Sequence, residues 1–173
     1  MPYFIERDKI VKKAQEILFY IILIILVIII RAYIITPVRV DGSSMSPTLN
    51  NNQILLLKKF DKKVKRFEIV VIEHDYSRII KRVIGLPGEH IKYVDNTLYI
   101  NNQIVLENFS KTTSDFDLSS LGYDVIPEGY YFVMGDNRNI SLDSRTIGLI
   151  KEDEILGTTS FSIYPFNRFG FIE

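Results

Sequence analysis

The most apolar stretch of the chain lies near its N-terminus. Ile17 to Ile30 is an uninterrupted run of fourteen apolar residues, and Ala32 to Ile35 continue it beyond Arg31. A helix over 17–35 would be about 28 Å long, close to the apolar thickness of a bilayer. The run has no polar face, unlike a typical buried helix, and no small-x-small cleavage site follows it, unlike a signal peptide. It therefore predicts a retained transmembrane anchor.

The charges on either side of this run predict its orientation. Four basic residues precede it within the segment 1–16, whereas only Arg31 and Arg39 lie near its other end. Basic residues accumulate on the cytoplasmic side of membrane proteins. We therefore expect 1–16 in the cytoplasm, 17–35 in the membrane and 36–173 outside.

Downstream of Thr36 the pattern changes to short β-branched runs separated by turn residues. The predicted strands are 38–40, 54–57, 69–72, 79–84, 91–94, 97–100, 103–106, 130–134 and 155–164. Asp95-Asn96 and Asn101-Asn102 tolerate positive φ and predict tight hairpin turns. The segment 107–124 is rich in Ser, Thr, Asp and Asn and predicts an exposed loop. Many short strands at close spacing indicate a mainly β fold, a barrel or a sandwich.

Composition removes several classes of function. The 21 basic residues balance the 21 acidic ones in 173 residues, so there is no overall basic charge of the kind that binds nucleic acid. With no cysteine, disulfides, thiolate metal sites and a cysteine nucleophile are excluded. Only two histidines, His74 and His90, are present, which makes a multi-histidine metal site improbable.

Three segments differ from ordinary strand and turn sequence. In the first, Ser44 follows a strand on a glycine-containing turn, where its hydroxyl is exposed and its N–H can face a developing oxyanion. In the second, Lys81 shares a strand face with Ile79 and Val83, and an apolar enclosure would favour the neutral amine that a general base needs. The third, Gly135 to Arg145, alternates charged and amide groups that can lock a loop. Each segment taken alone is also compatible with a polar turn or a strand lysine.

Together, in this order, the segments resemble the bacterial type I signal peptidases, which are membrane-anchored Ser–Lys proteases. Ser44 to Leu49 reads Ser-Met-Ser-Pro-Thr-Leu, and Lys81 to Gly88 reads Lys-Arg-Val-Ile-Gly-Leu-Pro-Gly. Gly135 to Arg138 reads Gly-Asp-Asn-Arg, and Ser141 to Arg145 reads Ser-Leu-Asp-Ser-Arg. The resemblance covers nearly the whole chain. It implies a signal-peptidase-type β domain over 36–173, with a short insertion at about 93–131.

The resemblance also implies a role for each matching residue. Ser44 would be the nucleophile and Lys81 the general base, with Ser141 orienting the lysine amine. Two ion pairs would support the site, and a shallow pocket would accept small substrate side chains. The supporting residues are Arg82, Asp136, Asp143 and Arg145, and the pocket residues are Val40, Met45, Leu49, Ile79 and Ile80. Gly42 stands where some relatives carry a serine that adds an oxyanion donor, so the second donor stays open.

The resulting hypothesis is a serine endopeptidase of the plasma membrane that cleaves signal peptides from exported preproteins after small-x-small sites. Its partners would be preproteins and the lipid bilayer, with no nucleic acid, metal or organic cofactor. The alternative is a peptidase-fold accessory factor that binds pilus components during surface-fibre assembly. A Ser–His–Asp hydrolase using His90 and a soluble Ser–Lys autopeptidase are weaker alternatives.

Overall fold

The computed structural model describes residues 2–33, 35–59, 64–109 and 112–172. The chain divides into two compact units, 1–36 and 37–173. Ile34 of the predicted anchor and Ser110 and Lys111 of the predicted loop lie outside the described residues.

The first unit is dominated by one helix, α1 (Pro2–Tyr33). Its side chains from Ile17 to Ile29 are each about half exposed. Within the part of the chain that is described, no helix is both long and apolar enough to cross a membrane. The transmembrane anchor therefore stays a prediction.

The second unit is mainly β, as predicted, and is built on two antiparallel sheets. Its strands are β1 (Ile35–Arg39), β2 (Ile54–Lys58), β3 (Ile69–His74), β4 (Ser77–Gly85), β5 (Ile91–Val94), β6 (Thr97–Ile100), β7 (Gln103–Val105), β8 (Phe116–Asp117), β9 (Tyr130–Met134), β10 (Ile150–Lys151), β11 (Ile155–Tyr164) and β12 (Gly170–Phe171). The large sheet has the order β1-β2-β11-β3-β4-β9-β10, with β12 paired to β11, and the small sheet has the order β7-β6-β5-β8. A short helix, α2 (Ser144–Ile147), precedes β10.

Turn chemistry explains the hairpins of the small sheet. All four residues of the Asp95-Asn96 and Asn101-Asn102 turns have positive φ, between 48° and 65°. Such left-handed pairs match the twist of two-residue hairpins, which agrees with the prediction.

The segment 107–124 is not simply an exposed loop, so that prediction was wrong in part. Phe116 and Asp117 form β8, which pairs with β5, and Leu118 is fully buried. The apolar residues Phe116, Leu118 and Leu121 pack into a core between the strands of this region. Those three apolar side chains outweigh the polar composition from which the loop was inferred.

Candidate active site

The nucleophile candidate Ser44 lies in a turn fixed from both sides. Gly42 has a φ of 87°, a left-handed conformation that favours glycine, and its N–H donates to Asn51 Oδ1 at 3.0 Å. Met45 and Leu49, which follow the serine, are fully buried and anchor the turn to the core. Ser44 itself is partly exposed, so its hydroxyl can meet a substrate.

The side chain of Lys81, on β4, contacts Ser44. Its Nζ donates to Ser44 Oγ at 2.9 Å and to the Ile80 carbonyl oxygen at 3.2 Å. The residue is only 4% exposed. Burial lowers the pKa of the Lys81 amine below the ordinary lysine value, while the charges of Asp143 and Asp136 work in the opposite direction. The structure thus pairs a hydroxyl with an amine that is easier to deprotonate than a solvated one.

A buried ion pair joins β4, the strand that carries Lys81, to the loop after β9. Arg82 Nε and Nη2 donate to Asp136 Oδ1 and Oδ2 at 2.9 Å and 2.6 Å, a bidentate pair whose side chains are 7% and 0% exposed. Arg82 Nη1 also donates to the Phe67 carbonyl oxygen. This geometry fixes Asp136 beside Arg82, the residue that follows Lys81 on β4.

A second ion pair closes the same loop on itself. Asp143 is fully buried and accepts from Arg145 Nε at 2.9 Å and Arg145 Nη2 at 3.0 Å. Its carboxylate also accepts the Gly135 N–H at 3.1 Å. Asn137 N–H donates to the Ser44 carbonyl oxygen at 2.9 Å, so the loop is tied directly to the serine turn.

Ser141 belongs to this loop but does not form a hydrogen bond with Lys81. Its Oγ is buried and has no hydrogen-bond partner among the described residues. The hydroxyl instead faces Gly135, where an added Cβ would overlap it. The bond to Lys81 that the family resemblance implies is therefore not formed in this structure.

A cavity of about 460 Å³ opens beside Ser44 and Lys81. Of the five predicted pocket residues, Ile79 and Ile80 line it. Val40, Met45 and Leu49 belong to the hydrophobic cluster that also includes Ile80. Further lining residues that the sequence did not single out are Asp41, His74, Asp75, Arg78, Ile140, Leu142 and Ile147.

Both histidines have other partners. His90 Nδ1 lies 2.6 Å from the Asp124 carbonyl oxygen, and its Nε2 lies 3.3 Å from Asp117. His74 Nδ1 lies 2.6 Å from Glu154 Oε1, and its Nε2 lies 3.6 Å from Asp75. His74 and Asp75 can approach each other because Asp75 has a φ of 47° and lies in the turn after β3. Ser44 Oγ is hydrogen-bonded to Lys81 and not to a histidine, which disfavours a Ser–His–Asp arrangement.

Arg138 has several buried hydrogen-bond partners, although the sequence assigned it no role. Its guanidinium contacts Tyr93, Glu107 and Thr113, and its Nε donates to the Gly135 carbonyl oxygen at 3.0 Å. Its position inside the Gly-Asp-Asn-Arg motif was the only sequence signal. Among the residues described, no group of three or more His, Cys, Asp or Glu is placed to hold a metal.

The chain is similar to known proteins of one family. Residues 13–164 match the model of the family described as signal peptidase, peptidase S26. The chain is 42% identical to signal peptidase I T of Bacillus subtilis, over 81% of this chain and 79% of the relative. It is 37% identical to signal peptidase I S of the same species, over 94% of each chain. A crystal structure of a signal peptidase I from Enterococcus faecalis matches with a TM-score of 0.53 and 38% identity, over 56% of this chain and 96% of that one. The chain therefore belongs to the signal peptidases of peptidase family S26.

Proposed function

We propose that Ser44 and Lys81 are the nucleophile and the general base with which this chain cleaves signal peptides. As a type I signal peptidase, the chain is a serine endopeptidase that acts on exported preproteins. The observation that supports the assignment of the two residues is the 2.9 Å contact between Lys81 Nζ and Ser44 Oγ. A nucleophile and its base must lie within hydrogen-bond reach.

The direction of proton transfer follows from the burial of Lys81. The neutral amine accepts the Ser44 hydroxyl proton as Oγ attacks the scissile carbonyl carbon, and the resulting ammonium gives that proton to the leaving amine. A second neutral-amine step activates water to hydrolyse the acyl-enzyme ester. Because burial lowers the pKa of Lys81, the neutral form is available at a lower pH than for a solvated lysine.

The hydrogen-bond capacity of the neutral amine leaves a place for Ser141. A neutral lysine has one lone pair and two N–H groups. In the neutral form the 2.9 Å contact would reverse, with the Ser44 hydroxyl donating to the amine lone pair. One N–H would then donate to the Ile80 carbonyl oxygen, and the other would remain for Ser141 Oγ. A buried hydroxyl without a partner costs about 1–3 kcal/mol, which favours a small movement that closes this bond.

Strand pairing supports binding of the substrate in an extended form. Among the described strands, β4 pairs with β9 only through Arg82, Val83 and Gly85, whereas Ser77 to Lys81 pair only with β3. The free edge beside Ile79 and Ile80 can accept a substrate strand through main-chain hydrogen bonds. The adjoining cluster of Val40, Met45 and Leu49 forms an apolar floor beneath Ile80. Such a filled floor leaves room for small side chains and favours small-x-small cleavage sites.

The oxyanion would be bound first by the Ser44 backbone. Its N–H donates to no acceptor among the described residues, whereas the Gly42 N–H is already held by Asn51. A free N–H beside the nucleophile is the feature that an oxyanion hole requires.

The same proposal includes the membrane anchor. The fourteen-residue apolar run 17–30 and the basic residues before it support a single span with the N-terminus in the cytoplasm. The predicted end of that span at Ile35 is corrected, because α1 ends at Tyr33 and Ile35 begins β1. The catalytic unit would then face outward at the plasma membrane, where signal peptides emerge.

The test compares three serine and lysine variants on a signal-peptide substrate in detergent. Ser44→Ala and Lys81→Met should each abolish cleavage. Ser43→Ala is the matched control, because Ser43 lines the same cavity one residue away, and it should stay close to wild type. Substantial turnover by Ser44→Ala or Lys81→Met would refute the assignment.

A further inference from the structure

A buried carboxylate of the small-sheet region is connected to the catalytic loop through one arginine. We propose that Glu107 is a positioning residue of the active site, acting through Arg138 on Gly135. This inference rests on the proposed roles of Ser44, Lys81 and Ser141. Glu107 follows β7, in the segment where an exposed loop was expected, yet its side chain is only 8% exposed.

Glu107 and Arg138 form a hydrogen-bond network that is almost completely buried. Arg138 Nη2 donates to Glu107 Oε1 at 2.7 Å and Nη1 to Oε2 at 3.3 Å, and the arginine side chain is 1% exposed. Nη1 also donates to Thr113 Oγ1 at 2.6 Å and to the Tyr93 hydroxyl at 3.1 Å. The guanidinium carbon lies 5.4 Å from the Tyr93 ring centre and 5.9 Å from that of Phe109.

Tyr93 keeps the carboxylate in place. Its hydroxyl donates to Glu107 Oε1 at 2.9 Å while accepting from Arg138. Burial raises the pKa of the Tyr93 hydroxyl, so the phenol stays protonated and can donate. Glu107 thus has one acceptor position for Tyr93 and two for Arg138, which fixes the plane of the guanidinium.

Arg138 transmits this orientation to the catalytic loop at Gly135. Its Nε donates to the Gly135 carbonyl oxygen at 3.0 Å, and Asp143 accepts the N–H of the same glycine. Gly135 is therefore held at both of its backbone polar groups. It packs directly against Ser141 Oγ and the Ser44 carbonyl oxygen.

Removing the Glu107 charge would disrupt the contacts that run from Glu107 through Arg138 to Gly135. Arg138 cannot lose its proton, and a buried guanidinium without a carboxylate partner is strongly unfavourable. It would turn toward water and release the Gly135 carbonyl oxygen. The expected effect is on kcat, because Ser44 and Ser141 touch Gly135. The KM value should change less, because Ile79 and Ile80 pair with β3 and not with the loop that carries Arg138.

A second Arg–Glu pair in the same unit provides a matched control. Arg66 and Glu89 also form a bidentate pair, with side chains 23% and 16% exposed. Arg66 donates to the Ile84 carbonyl oxygen and Glu89 accepts from the Leu86 N–H, so the described hydrogen bonds of this pair do not involve Gly135. Glu89→Gln therefore removes a more exposed Arg–Glu pair that is not hydrogen-bonded to the catalytic loop.

The experiment measures kcat and KM for wild type, Glu107→Gln, Glu89→Gln, Arg138→Lys and the double variant Glu107→Gln with Arg138→Lys. Misplacement of catalytic groups by about 1 Å can cost about 100-fold, so a loss in kcat of at least about tenfold is expected for Glu107→Gln, with KM within about twofold. Urea unfolding confirms that each variant is folded under the assay conditions. Glu89→Gln should lower stability and leave kcat unchanged.

The double variant separates positioning from mere stability. If Glu107 acts through Arg138, adding Glu107→Gln to Arg138→Lys should lower kcat no further. Independent, additive losses, or an equal loss for Glu89→Gln, would overturn the inference. So would a Glu107→Gln enzyme with wild-type kcat, which would leave the roles of Ser44 and Lys81 untouched. Activity retained in Ser44→Ala would instead refute the proposed function, and the inference with it.

Discussion

Gly135 lies so close to Ser141 that position 135 has no room for a side chain. A Cβ at position 135 would overlap both Ser141 Oγ and the Ser44 carbonyl oxygen. We expect Gly135→Ala to displace the serine turn and to lower kcat by about 100-fold, the cost of misplacing reacting groups by about 1 Å. Steady-state cleavage of a signal-peptide substrate measures this.

The control for this variant is Gly122→Ala. Gly122 has a φ of 83°, and an added Cβ there would have no atom within 4 Å. The alanine should cost about 1–2 kcal/mol of unfolding free energy because of its left-handed backbone, with no loss of kcat. Equal kcat losses for the two variants would mean that the loss reflects stability alone.

Burial of Lys81 should make the stability of the protein depend on pH. Because the pKa of Lys81 is lower in the folded state than in the unfolded state, the unfolded chain binds more protons between the two values. Lys81→Met should therefore stabilise the protein most at pH values below the folded-state pKa. The gain should shrink as the pH rises toward the ordinary lysine pKa.

Urea unfolding at about pH 6, 8 and 10 measures this dependence, because the stability change between these values reports the proton uptake. Lys58→Met, at an exposed lysine of β2, is the control and should change stability little at each pH. A stabilisation by Lys81→Met that grew with pH would contradict the sign of the predicted pKa shift.

The Arg82–Asp136 pair should be costly to break and cheap to replace. Asp136→Leu leaves the Arg82 guanidinium buried without its partner, which should cost about 3–5 kcal/mol of unfolding free energy. The double variant Arg82→Met with Asp136→Leu removes both charges and should recover most of that loss. Denaturant unfolding of the single and double variants checks this, and a double variant no more stable than the single one would count against it.

The absence of cysteine allows a direct test of the membrane topology. A single cysteine in place of Ile104, which is 60% exposed, should react with a membrane-impermeant maleimide on intact cells. A single cysteine in place of Lys12 should react only after the membrane is opened. Labelling of both positions on intact cells would rule out the proposed orientation.

The sequence predicted the strands well because their apolar residues alternate or run between strong turn signals. Ser77–Gly85 and Tyr130–Met134 enclose or match the predicted runs 79–84 and 130–134. The ends differ because hydrogen bonding to a neighbour, as between Ser77 and His74, extends a strand into polar residues. The sequence could not assign β8, whose two residues lie in a polar segment and pair through their backbone.

The candidate site was predictable in its parts and not in its connections. The motifs named Ser44, Lys81 and the two ion pairs, and the structure brings Ser44 and Lys81 into contact. Glu107 escaped notice because it is 31 residues from Arg138 and belongs to no motif. Pairing of this kind depends on how two sheets approach, which no local pattern records.

The position of β11 has a consequence for the timing of activity. This strand lies between β2 and β3, so among the described strands of the large sheet it joins β2, which is next to the serine turn, to β3 and to β4, which carries Lys81. Its residues, Ile155–Tyr164, are synthesised long after both catalytic residues have left the ribosome. A growing chain would thus hold both catalytic residues before β2 and β3 are joined into one sheet. The protease would become competent to cut only after β11 has been synthesised and has paired with both of its neighbours.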